Sequence, residues 1–251
     1  MKLPHNLQYF LGAISLATAA VAAGAVPPAD TVVLLHGLGR THWSMTRLAA
    51  ALERDGYRVV NLSYPSRSVP LESLAANWLP SQLHESGADS APHLHFVTHS
   101  MGGIVLRLWL RDRGAPANLG RVVMLAPPNA GSEVTDHLNR FAPFRWFTGV
   151  NGRRLGTRAT DLPRTLGPWP AAAADLGVIA GDRPLNPLFS AWLPGADDGK
   201  VSVAATHLAG ERDHLVLPHS HTWLAWRADT IAAVRAFLRD GHFPPRPFVI
   251  H

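Results

Sequence analysis

The stretch HFVTHSMGGIVLRLWL, residues 95–110, passes from a strand-like run into an apolar helical pattern at Ser100. Gly102 and Gly103 stand in the first turn of the predicted helix. A sharp strand-to-helix turn of this kind strains the serine backbone and raises its hydroxyl above the carboxyl edge of a sheet. Ser100 is therefore a candidate nucleophile, and the Met101 amide a candidate oxyanion donor. Taken alone, the motif is equally consistent with a chance Ser-x-Gly-Gly helix start.

The rest of the chain alternates short apolar runs with helical patterns, which predicts an α/β fold. Strands in βαβ units are parallel and have right-handed crossovers. We therefore expect a mainly parallel central sheet of about six strands with helices on both faces. The strand-like runs are TVVLLHG (31–37), YRVVNLSYP (57–65), LHFVTH (94–99), RVVMLAPP (121–128), DLGVIAG (175–181) and DHLVLP (213–218).

Composition indicates a compact globular protein of 251 residues, 47% hydrophobic and 16% charged. The net charge is +5, but the arginines are scattered singly and form no basic block, which argues against a nucleic-acid partner. Mild attraction to anionic surfaces stays open. The chain has no cysteine, so it has no disulfide, no thiolate nucleophile and no cysteine metal site.

The N-terminus predicts an export signal over residues 1–25, followed by a single domain over 26–251. An apolar run from Tyr9 to Ala23 follows Lys2, and small residues then offer a cleavage site. We expect a periplasmic or secreted protein. An uncleaved N-terminal membrane anchor and a buried N-terminal helix are the alternatives, although the run is short for the ~20 apolar residues that span a bilayer.

Residues that could activate Ser100 occur on both sides of it in the sequence. The HGLG loop follows the first strand, and its glycines let the Leu38 amide act as a second oxyanion donor. A serine hydroxyl needs a base, and the base needs an acid to orient it. The motif DDGKV contains Asp198 and the motif HSHT contains His221. Nucleophile, acid and base occur in the chain order expected for this type of fold.

Other residues compete for these roles. Asp197 and Asp182 are alternative acids, and His219 is an alternative base. If the last strand continues, His219 and His221 share a face and could bind zinc. No acidic residue stands at helical ligand spacing beside them, so we predict no metal and no cofactor. Further histidines that keep the zinc alternative open are His207 and His214.

The motifs HGLG, THSMGG, APPNAGS, DDGKV and HSHTWL together resemble the small bacterial lipases and esterases of the α/β-hydrolase superfamily. The resemblance covers residues 31–241. It implies the α/β-hydrolase fold and hydrolysis of carboxylic esters through a Ser-His-Asp triad and an acyl-enzyme. Ser100 matches the nucleophile, Asp198 the acid, because Gly199 and Val201 follow it, and His221 the base. The oxyanion hole would consist of the Leu38 and Met101 amides.

The chain departs from the family pattern at Thr98, where members more often have glycine or alanine. The departure affects packing beneath the turn more than the reaction. The implied substrate is a small-molecule or lipid ester, with transient contact to a membrane or lipid interface as a further expectation. An acyltransferase with the same triad, and a non-catalytic lipid-binding protein on this fold, are the alternatives. No motif predicts an oligomeric state.

The segment 133–175 interrupts the alternation and has no clean period. A long irregular insertion in such a fold is typical of a lid or a pocket wall, and packing filler is nearly as common. Its aromatic residues are predicted to line an acyl groove, with ordinary core as the alternative. These candidate substrate-binding residues are Phe141, Phe144, Trp146 and Phe147.

Overall fold

A computed structural model describes residues 29–170 and 173–245, and within them six parallel strands form one sheet in the order β2-β1-β3-β4-β5-β6. The prediction of a mainly parallel sheet of about six strands is confirmed. The predicted export signal, residues 1–25, lies outside the described residues. The strands are β1 (Thr31–Leu35), β2 (Arg58–Leu62), β3 (Leu94–His99), β4 (Leu119–Leu125), β5 (Leu176–Gly181) and β6 (Asp213–Leu217).

Helices connect the strands and cover both faces of the sheet. A π-helical stretch, Leu74–Trp78, joins α2 to α3. Within the described ranges, no helix combines the length and the apolar character needed to cross a membrane. The α-helices are α1 (Thr46–Arg54), α2 (Leu71–Ser73), α3 (Leu79–Glu85), α4 (Met101–Arg113), α5 (Glu133–Leu138), α6 (Ala142–Gly152), α7 (Leu162–Thr165), α8 (Pro187–Ser190), α9 (Val203–Thr206) and α10 (Ala228–Asp240).

The continuous apolar runs of the central strands reflect burial on both sides. Successive side chains of a strand point to opposite faces, so β1 contributes to two separate cores. Val33 and Leu35 pack in the core beneath α2, α3 and α4. Val32 and Leu34 pack in the core beneath α1 and α10. Residues that follow the strands therefore meet at one carboxyl edge of the sheet, where ligands bind in open α/β folds.

The segment 133–175 is more regular than the sequence predicts, because it contains the three short helices α5, α6 and α7. No helical period is visible in the sequence because Gly149, with φ 65° and ψ −151°, breaks α6. The buried Asn151 attaches the end of α6 to the body of the protein: its Oδ1 accepts the Leu71 N–H at 3.0 Å, and its Nδ2 donates to the Ser66 oxygen at 2.9 Å. This end of the segment is therefore fixed to the core.

Candidate active site

Ser100 occupies a strained turn between β3 and α4. Its φ is 54° and its ψ is −122°, a conformation that side-chain-bearing residues seldom adopt. The Ser100 N–H donates to the Leu125 oxygen at 2.8 Å, which anchors the turn to β4. A Cβ added to Gly102 would lie 2.5 Å from the Leu35 oxygen, so a glycine is needed where α4 passes over β1. Sequence and backbone therefore agree on a sharp turn that presents the Ser100 hydroxyl.

His221 contacts both residues predicted to be its partners. Its Nε2 accepts the Ser100 hydroxyl at 2.9 Å, and its Nδ1 donates to Asp198 Oδ2 at 2.7 Å. The side chains of His221 and Asp198 are 5% and 0% exposed. A carboxylate can only accept hydrogen bonds, so Nδ1 carries the proton and the lone pair of the ring lies on Nε2, towards Ser100. This is the geometry that lets a histidine remove a proton from a serine.

Backbone hydrogen bonds hold Asp198 in place. Its Oδ1 accepts the N–H groups of Lys200 and Val201, both at 2.9 Å. Its backbone oxygen accepts the His221 N–H at 3.0 Å. Acid and histidine are thus joined both through side chains and through the main chain, which limits how far either ring or carboxylate can turn.

The alternative acid and base candidates have other partners. His219 Nε2 lies 2.6 Å from Asp229 Oδ1, at the start of α10. Asp197 Oδ1 accepts the Gly199 N–H at 2.7 Å and the Ser190 hydroxyl at 2.9 Å. Asp182 Oδ1 lies 3.8 Å from Arg183 Nε. The structure therefore brings Ser100, His221 and Asp198 together and leaves the alternatives outside this group.

The loop after β1 lies directly against Ser100. A Cβ added to Gly37 would approach the Ser100 Cβ to 3.1 Å, and Leu38 lines the same cavity as Ser100. Met101 is the first residue of α4, where a backbone N–H lacks a partner within the helix. The residues of both predicted oxyanion donors thus lie next to Ser100, and their role stays a prediction.

His36 holds this loop in place. Its Nδ1 donates to the Gly37 oxygen at 2.8 Å, and its Nε2 accepts the Tyr64 N–H at 3.1 Å. The rings of His36 and Tyr64 stack with centroids 4.1 Å apart. Burial lowers the pKa of His36 to about 4, which keeps the ring neutral. A neutral ring with both nitrogens engaged supports the loop and has no free site for proton transfer.

His99 is a residue of the site that the sequence analysis did not single out. It is buried beside His221, with ring centroids 4.9 Å apart, and its Nε2 donates to the His221 backbone oxygen at 3.0 Å. Burial, and then the neighbouring His221, hold the pKa of His99 well below its usual value. In the sequence, His99 is marked only by its position directly before Ser100, and that position does not reveal where its side chain points.

A cavity of about 310 Å³ opens beside Ser100, within the usual size range for small-ligand sites. Phe144 and Phe147 line it, together with Val134, Leu138 and Leu155. Two further aromatic residues predicted to line an acyl groove are absent from this lining: Phe141 is 52% exposed and Trp146 is 79% exposed. Trp146 differs from its neighbours in α6 because helical spacing turns adjacent side chains in different directions, whereas Phe141 precedes the helix with an extended backbone (φ −95°, ψ 126°).

The histidines considered for zinc separate into different groups. His207 and His214 stack with ring centroids 3.7 Å apart and an interplanar angle of 19°, and Glu211 Oε1 lies 2.5 Å from His207 Nδ1. Their possible ligand atoms lie within 4.8 Å of one another. A metal ion lies in the plane of each imidazole that binds it, and two nearly parallel rings cannot share one ion in this arrangement.

Comparisons with solved structures reveal the same fold in bacterial lipases and esterases. The mature lipase BlEst2 of Bacillus licheniformis aligns with a TM-score of 0.64 at 16% identity, over 85% of this chain and 92% of that one. Phospholipase PlaB of Legionella pneumophila aligns with a TM-score of 0.60 at 19% identity, over 76% of this chain and 53% of that one. Carboxylesterase CesB (YbfK) of Bacillus subtilis aligns with a TM-score of 0.53 at 16% identity, over 86% and 85%. These identities establish a shared fold.

Sequence comparison identifies the family directly. No curated protein sequence matches the chain. The profile of the Alpha/beta hydrolase family matches residues 32–247, which include every residue of the candidate site and all six strands except the first residue of β1. The chain therefore belongs to the alpha/beta hydrolase family.

Proposed function

We propose that the protein is a serine hydrolase that cleaves carboxylic esters through Ser100, His221 and Asp198. The observation that carries this proposal is the position of His221, 2.9 Å from the Ser100 hydroxyl and 2.7 Å from Asp198. A histidine between a strained serine and a buried carboxylate is the arrangement that activates a serine for acyl transfer. The cavity beside Ser100 provides room for an ester.

In this mechanism, Ser100 Oγ attacks the ester carbonyl while His221 Nε2 takes its proton. The carbonyl oxygen becomes an oxyanion, for which the amides of Leu38 and Met101 are the proposed donors. When the ester C–O bond breaks, His221 returns the proton to the leaving alcohol oxygen, and the acyl group stays on Ser100. Water then attacks the acyl-enzyme with His221 as base, and the acid is released. Asp198 stabilises the imidazolium in both steps.

In this proposal, residues 26–251 form one domain, and the segment 133–175 serves as the wall of the acyl pocket. Phe144 and Phe147 face the cavity and would contact the acyl chain. Trp146 and Phe141, which are exposed, would contact a lipid interface. A small-molecule or lipid ester is the proposed substrate.

The decisive experiment compares wild-type protein with Ser100→Ala on p-nitrophenyl esters of increasing chain length. We expect Ser100→Ala to fold normally and to lose ester hydrolysis, while the exposed Ser90→Ala keeps it as a matched control. An organophosphonate probe should label wild-type protein and leave Ser100→Ala unmodified. Turnover retained by Ser100→Ala would contradict the proposal, and an unlabelled wild-type protein would favour a non-catalytic lipid-binding role.

Hydrolysis and acyl transfer share the acyl-enzyme and differ in the acceptor. Product analysis with excess alcohol separates them: free acid as the main product supports hydrolysis, and a new ester as the main product supports the transferase alternative.

A further inference from the structure

The charged residues that line the cavity beside Ser100 are both positive. Arg40 and Lys200 belong to its lining, whereas no aspartate or glutamate of the described residues does. Most of the remaining wall is apolar, including Val134, Leu138 and Leu155. A cavity built only for a neutral ester has no need of two cations, because an uncompensated charge in a concave apolar site is unfavourable.

Neither cation forms an ion pair within the described part of the chain. The Arg40 guanidinium donates to the uncharged Thr222 hydroxyl at 3.3 Å, and among the described residues no acid forms an ion pair with it. The Lys200 backbone N–H binds Asp198, but its ammonium forms no ion pair or hydrogen bond with the described residues. The Asp198 carboxylate is already engaged by His221 and two backbone N–H groups. Both side chains are therefore available to a ligand.

Lys200 lines the cavity and is exposed to solvent. Burial, followed by repulsion from Arg40, lowers the pKa of Lys200. Lys200 and Arg40 also contribute, after burial and His221, to the lowered pKa of His99, which directly precedes Ser100. The two positive charges therefore act on the same small volume as the Ser100 hydroxyl.

Contacts along the chain connect both cations with the His221 region. Arg40 ends the loop that carries Leu38, and it binds Thr222, the residue after His221. Lys200 follows Asp198 by two residues. His221 must return its proton to the leaving oxygen, so the alcohol part of an ester has to lie near His221. The acyl chain then has the apolar lining residues, which include Val134, Leu138 and Phe144.

We propose that Arg40 and Lys200 form an anion subsite for the leaving alcohol, and that the preferred substrates are carboxylic esters of phosphate-bearing alcohols. Arginine binds phosphate through two N–H groups of its planar guanidinium, and lysine binds it through the compact charge of its ammonium. Two cations on separate loops match a group with up to two negative charges. The reaction is still ester cleavage: the acyl carbon bonds to Ser100 Oγ, the ester C–O bond breaks, and the alcohol leaves with its phosphate intact. This inference rests on the proposed function.

A matched pair of substrates tests the subsite: monohexanoylglycerol and its phosphate monoester, which share the acyl chain and the ester bond. The short chain keeps both in monomeric solution, so micelles do not affect the rates. We expect kcat/KM for the phosphate ester to exceed that for the neutral ester at least tenfold, since one charge-assisted hydrogen bond contributes roughly a tenfold factor. The ratio should fall as sodium chloride is added.

Substitutions test whether Arg40 and Lys200 cause the preference, measured as the ratio of kcat/KM for the phosphate ester to kcat/KM for the neutral ester. Arg40→Gln and Lys200→Met should each lower the ratio several-fold, and the double variant should bring it close to one. Lys200→Arg keeps the charge and should keep most of the ratio. Arg164→Gln removes the same charge from an exposed position outside the cavity lining and should leave the ratio unchanged. This control separates a local subsite from general attraction by the positive chain.

The outcomes distinguish the two proposals. If both esters are cleaved with equal kcat/KM, or if the double variant keeps the ratio, the subsite is overturned while ester hydrolysis stands. If neither ester is cleaved and an organophosphonate does not label the protein, the proposed function fails. Calorimetry on Ser100→Ala then decides the subsite: tighter binding of the phosphate ester that depends on Arg40 and Lys200 supports it, and equal binding of the two esters overturns it.

Discussion

The Nε2 atom of His99 lies 3.0 Å from the backbone oxygen of His221, so the residue before the candidate nucleophile supports the candidate base. The bond adds a third attachment to a histidine already joined to Asp198 through its side chain and its main chain. Positioning of the base to within a fraction of an ångström controls the rate of proton transfer.

Replacing His99 with leucine should therefore affect turnover more than substrate affinity. We expect His99→Leu to lower kcat for p-nitrophenyl butyrate roughly tenfold with little change in KM, because the base loses its orientation. His99→Gln, whose amide can still donate, should restore much of kcat. A loss in which KM changes more than kcat, or a glutamine variant no better than leucine, would contradict a positioning role.

The buried hydroxyl of Thr98 should be dispensable. Thr98 is 0% exposed, its Oγ1 has no partner among the described residues, and a Cβ added to Gly103 would lie 3.3 Å from that oxygen. Thr98→Val keeps the shape and removes an unsatisfied polar atom, so thermal unfolding should show equal or higher stability. Thr98→Gly leaves a void in a strand and should cost about 1–2 kcal/mol of unfolding free energy. In both variants, kcat should change less than stability; a large loss of kcat in a stable variant would contradict this.

The break in α6 should control the acyl side of the cavity. Gly149 has φ 65°, and a Cβ there would lie 1.9 Å from the Arg67 oxygen. Gly149→Ala must displace α6 or the loop that contains Arg67, and Phe144 and Phe147 would move with the helix. We expect activity on long-chain p-nitrophenyl esters to fall more than activity on the acetate.

Gly114→Ala is the matched control for this change. Gly114 also has a positive φ, 78°, but an added Cβ meets nothing within 4 Å. It should lower stability through backbone strain and leave the order of chain-length preference unchanged. Equal effects of the two substitutions on that preference would rule out the proposed role of the α6 break.

Stability should decrease as the pH falls from about 6.5 to about 4. Burial lowers the pKa of His36 to about 4, and burial together with His207 lowers that of His214 to about 4, from 6.5. Each ring is neutral in the folded protein, so the unfolded chain binds more protons in this window, and the stabilisation present above pH 6.5 is lost towards pH 4. For His36 alone the loss is at most roughly 3 kcal/mol.

Urea unfolding at several pH values measures this dependence. His214→Phe, which replaces a titrating ring that stacks on His207, should reduce the slope between pH 6.5 and 4. A free energy of unfolding that is constant across this window would contradict the lowered pKa values.

Much of the fold was predictable because its signals are local. The run TVVLLHG predicts a strand buried on both faces, and β1 is that strand. The change of pattern at Ser100 predicts the turn between β3 and α4, since small residues are needed where a strand and the following helix pass close together. The helices of the segment 133–175 were missed because Gly149 and several prolines divide them into pieces too short for a visible period.

The choice among competing site residues was not local. His219 and His221 stand two positions apart with the same chemistry, and only the path of the chain after β6 directs one to Asp229 and the other to Ser100. Asp197 and Asp198 are adjacent, and the turn that follows them decides which carboxylate accepts the hydrogen bond from His221.

By itself, the sequence determined the parallel sheet, the turn at Ser100 and a set of candidate residues around it, because strand burial, helix period and glycine requirements are properties of short segments. Only the tertiary structure decided which histidine and which aspartate meet Ser100, which aromatic residues face the cavity, and that Arg40 and Lys200 lie together beside it. Side-chain direction and cross-chain distance depend on how the strands pack, and no short segment contains that information.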